Sequence, residues 1–167
     1  MQFWHTGGDL ALDKSLFTHK TQALQGVMYR VACSMLKTDA DRYDAIQQAL
    51  LQAWEKRNTL RHEAAFDAWL IRILMNVCKS IYRQQARMIP MDTLPETPVS
   101  PVDLSVQDAV ERLSPKLRVC VLLHYVEDLP TADIAALLRI PASTVRSRLA
   151  NARKSLRLEL TPEEDTP

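Results

Sequence analysis

The sequence predicts an all-α protein with two small helical domains joined by a proline-rich linker. The 167 residues include only three glycines, and apolar residues recur at steps of three and four over long stretches, which favours helices. A hydrophobic content of 47% is enough for folded cores. Four prolines (Pro90, Pro95, Pro98 and Pro101) divide the helical patterns into two groups, because proline interrupts helices.

These patterns divide the chain into five segments. Residues 1–14 are an unassigned N-terminal segment, 15–88 a first helical domain, 89–104 a linker, 105–160 a second helical domain, and 161–167 a tail. The linker contains acidic residues without basic ones and has few apolar groups to bury, so we expect it to be flexible.

The first domain contains three helical patterns, at about residues 15–36, 41–57 and 64–88. In the second pattern, the predicted core stripe consists of Tyr43, Ile46, Leu50, Ala53 and Trp54. Another face of the same helix carries acids, amides and one leucine: Asp44, Gln47, Gln48, Leu51 and Glu55. An apolar side chain on a polar face can indicate a partner surface.

The third pattern also predicts two faces. Its core side consists of Phe66, Leu70, Ile73, Leu74, Val77, Cys78 and Ile81. Another side forms a polar, basic strip without an acid: Asn76, Lys79, Ser80, Arg83 and Arg87. This basic strip is either an ordinary solvated face or a surface for nucleic acid.

The second domain contains helical patterns at about residues 104–112, 115–127, 131–138 and 143–159. The last helix has an apolar stripe at Val145, Leu149, Ala152, Leu156 and Leu160. A short helix, a tight break and a longer helix form a helix-turn-helix, whose second helix usually enters the DNA major groove. Pro141 ends the shorter helix, Ser143 or Thr144 can cap the longer one, and Arg139 stands where glycine is common.

Every charge between Ala136 and Leu158 is positive, as binding to a phosphate backbone requires. With the apolar stripe turned inward, the outer side of the last helix presents Ser143, Arg146, Ser147, Ala150 and Asn151. Arg146 and Asn151 can bond guanine and adenine bidentately, so we expect them to read bases. We expect four other residues to contact phosphates: Arg148, Arg153, Lys154 and Arg157.

Several classes of function are disfavoured. Cys33, Cys78 and Cys120 lie far apart without a CxxC pair, which predicts buried free thiols in a reducing cytoplasm and no metal site. The sequence shows no nucleophile–base pair and no phosphate-binding glycine loop, so we expect neither an enzyme nor a cofactor. Neither a signal peptide nor a membrane-crossing run is evident, so we expect a cytoplasmic protein without membrane insertion.

The two halves, in this order, resemble an extracytoplasmic-function sigma factor, the compact class of the bacterial sigma-70 family. The segment 109–158 resembles sigma region 4 through LSPKLRVCVLLHYVEDL, ADIAALL and STVRSRLANAR. The segment 24–87 resembles region 2 through YRVACSML, DRYDAIQQALLQAW, NTLRHEAAFDAWL and IRILMNVCKSIYR.

This resemblance implies partners and site residues. The helix with Asp44, Gln47, Gln48, Leu51 and Glu55 would bind the β′ coiled coil of core RNA polymerase, and the second domain the β flap. In the loop 58–65, the residues implied in capture of a −10 base are Asn58, Leu60, Arg61 and His62. The next helix would touch −10 DNA through Asn76, Lys79, Ser80 and Arg83. The −35 element would meet Ser143, Thr144, Arg146, Ser147, Ala150 and Asn151.

The chain departs from the family pattern at three positions. Gln48 replaces a frequent acid, Ser80 a common aspartate and Gln84 a common arginine. The implied function is promoter recognition and transcription initiation with core RNA polymerase, under control of an anti-sigma factor. Two alternatives stay open: a helix-turn-helix regulator that does not replace sigma, and a sigma-like interaction protein.

Overall fold

The computed structural model describes residues 12–88 and 106–160. Every regular element in these ranges is a helix, which confirms the all-α prediction. The chain divides into two compact units, Met1–Ala86 and Arg87–Pro167. The predicted linker, the tail and most of the unassigned N-terminal segment lie outside the described residues.

The first unit contains two short 3-10 turns and four α-helices, the last of which ends two residues beyond the boundary of the unit. They are α1 (Lys14–Ala23), α2 (Gln25–Met35), α3 (Asp39–Glu55), the turns Arg57–Thr59 and Glu63–Ala65, and α4 (Phe66–Met88). The single helix predicted for 15–36 is therefore wrong, because the chain breaks at Leu24, whose N–H bonds to the carbonyls of both Lys20 and Gln22. Thr38 caps α3 by accepting a hydrogen bond from the Asp41 N–H at 3.2 Å.

Helix α3 buries alanines instead of its large apolar residues. Ala45, Ala49 and Ala53, four residues apart, are fully buried, and α2 packs against α3. Three members of the predicted stripe are only half-buried: Ile46, Leu50 and Trp54. Tyr43 is 56% exposed and lies against the Tyr29 ring, so its assignment to the core is wrong. Alanine lets two helices approach closely, and this close approach turns the larger side chains to the rim of the contact.

Helix α4 has more buried residues than any other helix described in the first unit. Its buried side chains are Phe66, Leu70, Ile71, Leu74, Met75, Val77 and Cys78. The predicted core members Ile73 and Ile81 are half-buried, and Ile71 and Met75 take their place, so the buried face is rotated from the predicted one. Burial raises the pKa of the Cys78 thiol to about 12. Cys78 and Cys120 are buried and free as expected, whereas Cys33 is only half-buried.

The second unit follows the predicted order of helices. It contains α5 (Val106–Arg112), α6 (Pro115–Val121) continued by a π-helical turn (Leu122–Val126), α7 (Thr131–Leu138) and α8 (Ala142–Leu160). Helix α8 packs against α5, α6 and α7. Arg118 donates hydrogen bonds to the carbonyls of Val110, Glu111 and Leu113, which satisfies carbonyl groups at the end of α5.

The turn between α7 and α8 is closed by an arginine in a left-handed conformation. Arg139 has φ 53° and ψ 48°, and the Ile140 N–H bonds to the Ala135 carbonyl at 3.1 Å. Arg139 therefore adopts the backbone shape that glycine usually supplies at the end of a helix. Helix α8 begins at Ala142, so Ser143 lies inside its first turn and the capping prediction is wrong.

Candidate nucleic-acid interface

Helix α8 separates a buried side from a polar outer side. Val145, Leu149 and Ala152 are buried. The outer side chains are all exposed, as the sequence predicted: Ser143, Arg146, Ser147, Ala150 and Asn151. Thr144 is half-buried at the edge of this surface. The packing of the second unit thus leaves free the side of α8 that is expected to face DNA.

The basic residues of α8 fall into two groups. Arg153, Lys154 and Arg157 are exposed, and Arg153 Nη1 donates to the Tyr125 hydroxyl at 3.2 Å. Arg148 is half-buried and hydrogen-bonds the Cys120 thiol, whose pKa is raised by burial against the opposing effect of Arg148. Arg148 is thus less exposed than the other three basic residues, and its phosphate contact stays a prediction.

The position of Arg148 carried a signal for this outcome. It follows Val145 by three residues and precedes Ala152 by four, and both of these residues lie on the buried stripe. Residues three and four apart share one face of a helix. Positive charge alone does not predict this placement, because a long basic side chain at the edge of the buried stripe can point inward.

The basic strip of α4 is exposed. Its members are Asn76, Lys79, Ser80, Arg83 and Arg87. Tyr82, which is 46% exposed, lies three residues after Lys79 and borders the strip. An exposed aromatic ring beside basic groups can stack on a nucleic-acid base. Tyr82 is absent from the predicted strip, although its spacing of three residues from Lys79 indicates the same side of the helix.

The loop between α3 and α4 is fixed at both ends. At its start, the Arg57 guanidinium lies 4.1 Å from the Trp54 ring centroid, and Arg57 Nη1 donates to the Trp54 carbonyl at 2.8 Å. At its end, Phe66 is fully buried. This anchoring limits the movement of the segment between the two ends.

The side chains of this loop are divided between anchoring and exposure. Leu60 is buried, so it anchors the loop and is not presented to a base, contrary to the prediction. The other predicted loop residues are exposed: Asn58, Arg61 and His62. The loop therefore presents polar groups between two anchored ends.

The outer face of α3 is also exposed. It contains all five predicted residues, Asp44, Gln47, Gln48, Leu51 and Glu55, with Leu51 59% exposed. Tyr43 precedes Gln47 by four residues and Leu51 by eight, so it lies on this same face. Tyr43 is therefore an exposed aromatic residue on the candidate partner surface, although the sequence pattern predicts it in the core.

Two family models match the chain in the order of the two units. The model described as "Sigma-70 region 2" matches residues 21–88, and "Sigma-70, region 4" matches residues 103–156. The ECF RNA polymerase sigma factor SigM of Mycobacterium tuberculosis H37Rv is 33% identical over 162 residues, covering 91% of this chain and 79% of SigM. The chain belongs to the extracytoplasmic-function sigma factors. It is thus an RNA polymerase sigma factor whose regions 2 and 4 bind promoter DNA.

Other sigma factors are similar at lower identity. The RNA polymerase sigma factor SigV of Bacillus subtilis is 27% identical over 142 residues, covering 81% of this chain and 86% of SigV. Among solved structures, the sigma factor RpoE from Bartonella quintana, in complex with the anti-sigma factor NepR, aligns with a TM-score of 0.71 at 23% identity. That alignment covers 89% of this chain and 98% of RpoE, and it supports the helical fold.

A second structural neighbour is CnrH in complex with the cytosolic domain of CnrY. It aligns with a TM-score of 0.66 at 20% identity and covers 92% of each chain. Within residues 12–88 and 106–160, none of the helices has the length and apolar character needed to span a bilayer. In the same ranges, no three histidine, cysteine or acidic side chains come together as a metal site.

Proposed function

We propose that this sigma factor reads −35 DNA with α8, opens −10 DNA with α4 and the loop before it, and docks on core polymerase through α3. The observation that carries the proposal is the exposed outer face of α3, where Leu51 is 59% exposed among polar side chains. An ordinary helix-turn-helix regulator needs only the second unit and has no use for this surface.

At the −35 element, the outer side of α8 enters the major groove. Arg146 bonds guanine bidentately, and Asn151 is placed to bond adenine. The surrounding contacts come from Ser143, Thr144, Ser147 and Ala150. Arg153, Lys154 and Arg157 bond phosphates and fix the position of the helix without reading sequence.

At the −10 element, a base must leave the stack at a cost of a few kcal/mol. The exposed loop residues Asn58, Arg61 and His62 bind that base. Because the loop backbone is already anchored, ordering the loop on binding costs little free energy. The exposed strip of α4, with Asn76, Lys79, Ser80 and Arg83, follows the separated strand. Ser80 and Gln84 differ from the residues common in the family, so we expect a distinct −10 preference.

The proposed partners extend beyond DNA. Asp44, Gln47, Gln48, Leu51 and Glu55 contact the β′ coiled coil, and the second domain contacts the β flap. The two solved neighbours were captured as complexes, one with an anti-sigma factor and one with a cytosolic domain. We infer an anti-sigma partner for this chain as well. The sigma factor itself acts in the cytoplasm by binding its partners, without covalent catalysis or a cofactor.

The test replaces Gln47 and Leu51 together with aspartate. Buried unpaired carboxylates at a helix–helix contact cost several kcal/mol of binding, so we expect holoenzyme formation with core polymerase to be lost. The matched control replaces Gln22 and Gln25, both exposed in the same unit, with aspartate. Pull-down with core polymerase and circular dichroism are measured on both variants. Normal polymerase binding by the folded Gln47/Leu51 variant would remove this face from the mechanism.

A further inference from the structure

An ion pair joins α1 to the loop that is proposed to capture the −10 base. Lys20 Nζ lies 2.9 Å from Glu63 Oε1, in the second 3-10 turn of the loop. The region 2 family model matches the chain from Thr21 onward, so Lys20 lies just outside the matched segment. Glu63 directly follows the exposed residue His62.

Aromatic contacts hold α1 against both ends of the same loop. The Phe17 ring makes edge contacts with Trp54, at 5.2 Å between centroids, and with Phe66, at 5.9 Å. Lys20 Nζ lies 5.6 Å from the Phe66 ring centroid. Trp54 precedes the loop and Phe66 follows it, so α1 contacts a residue at each end of the loop.

Lys20 also faces a second carboxylate. Burial raises the pKa of Asp67, and the positive charge of Lys20 opposes that shift. The Lys20 side chain is 21% exposed and that of Glu63 is 46% exposed, so water screens the pair and its contribution to overall stability is small. A weak contact can nevertheless select one conformation of a short turn.

We propose that Lys20 and Glu63 are positioning residues that hold the loop 58–65 in its base-accepting conformation before DNA arrives. This role rests on the proposed −10 function of the loop. Without the pair, the turn at Glu63 must become ordered during base capture. The free-energy cost of this ordering weakens promoter opening. Holoenzyme formation and −35 binding do not depend on the loop and should stay unchanged.

The test uses full-length holoenzyme and a promoter selected by wild-type holoenzyme from duplexes randomised at both elements. The variants are Lys20→Glu, Glu63→Lys and the charge-swapped double variant. The control is Lys14→Glu, which makes the same charge change at an exposed position of the same helix. Permanganate reactivity of unpaired thymines measures opening, and single-base −10 variants measure sequence preference.

Lys20→Glu should reduce opening about fivefold, the upper range for a surface pair, and flatten the −10 preference. The double variant should recover opening to within about twofold of wild type, since it has the same net charge and restores an opposite-charge pair. Equal opening by Lys20→Glu and Lys14→Glu would overturn the positioning role, as would a double variant no better than Lys20→Glu. If wild-type holoenzyme selects and opens no duplex, the proposed function itself fails.

Discussion

Helices α3 and α8 each separate a buried side from an exposed side that is proposed to bind a partner, but the sizes of their buried residues differ. Helix α8 buries Val145 and Leu149 and exposes polar side chains. Helix α3 buries Ala45, Ala49 and Ala53 and exposes two larger residues, Tyr43 and Leu51. The buried row of α8 thus contains large apolar residues, whereas the buried row of α3 consists of alanines.

The difference follows from what each helix packs against. Helix α8 is surrounded by α5, α6 and α7, so large side chains are needed to fill the space between the helices. Helix α3 packs against α2 and buries a row of alanines, and a larger residue in this row would overpack the core. Tyr43 and Leu51 of α3 remain exposed, on the face that is proposed to bind core polymerase.

The largest effect should come from truncating the core of α8. Leu149→Ala removes a side chain that is 3% exposed, and the cavity should cost about 2–5 kcal/mol of stability. Leu158→Ala is the control, because Leu158 is 72% exposed and its loss should stay within about 0.5 kcal/mol. Urea unfolding, combined with hydrogen exchange in the second unit, measures both. Equal losses would show that the buried side of α8 is wrongly assigned.

The reciprocal change enlarges the core of α3. Ala49→Leu adds volume at a fully buried position facing a close helix, so we expect a loss of about 1–3 kcal/mol through overpacking. Gln48→Leu places the same side chain one position away on the exposed face and should be nearly neutral. The free energy of unfolding of the first unit is the measurement. A stable Ala49→Leu protein would mean that the space beside Ala49 is larger than the alanine row implies.

The helix-turn-helix was largely predictable from sequence, since the buried residues Val145, Leu149 and Ala152 follow one helical period. The predicted bounds of α7 agree with the structure, and the predicted outer residues of α8 are exposed. The alanine core of α3 could not be found by looking for large apolar residues. The break at Leu24 has no proline to mark it, and the buried Leu60 belongs to a loop without a regular period.

The outer side of α8 can be divided further into positions that read bases and positions that contact phosphate. Arg146→Ala should weaken −35 binding and remove about 1–3 kcal/mol of discrimination at one base pair, because a bidentate contact to guanine is lost. Lys154 is exposed like Arg146, but we expect it to contact a phosphate, which is the same in every sequence. Lys154→Ala should therefore weaken binding to all sequences alike. Competition between the selected duplex and its single-base variants measures the difference. The same loss of preference in both proteins would contradict the division.

The smallest expected effect concerns the turn that sets the angle between α7 and α8. Arg139 holds φ 53°, a conformation that costs a residue with a Cβ about 1–2 kcal/mol and costs glycine little. Glycine also loses more backbone entropy on folding, and the positive charge of Arg139 favours the end of α7, so these terms offset part of the gain. We therefore expect Arg139→Gly to raise the stability of the second unit by about 0.5–1 kcal/mol.

A matched comparison within the same unit separates backbone strain from other effects. Asp128 also has φ 53°, but aspartate tolerates the left-handed region better than arginine does. Asp128→Gly should therefore stabilise the second unit less than Arg139→Gly, in thermal unfolding without DNA. An equal gain at both positions would show that side-chain type does not control the strain. A loss at Arg139 would show that its charge at the end of α7 outweighs the strained backbone, so the sign of this change decides which term dominates.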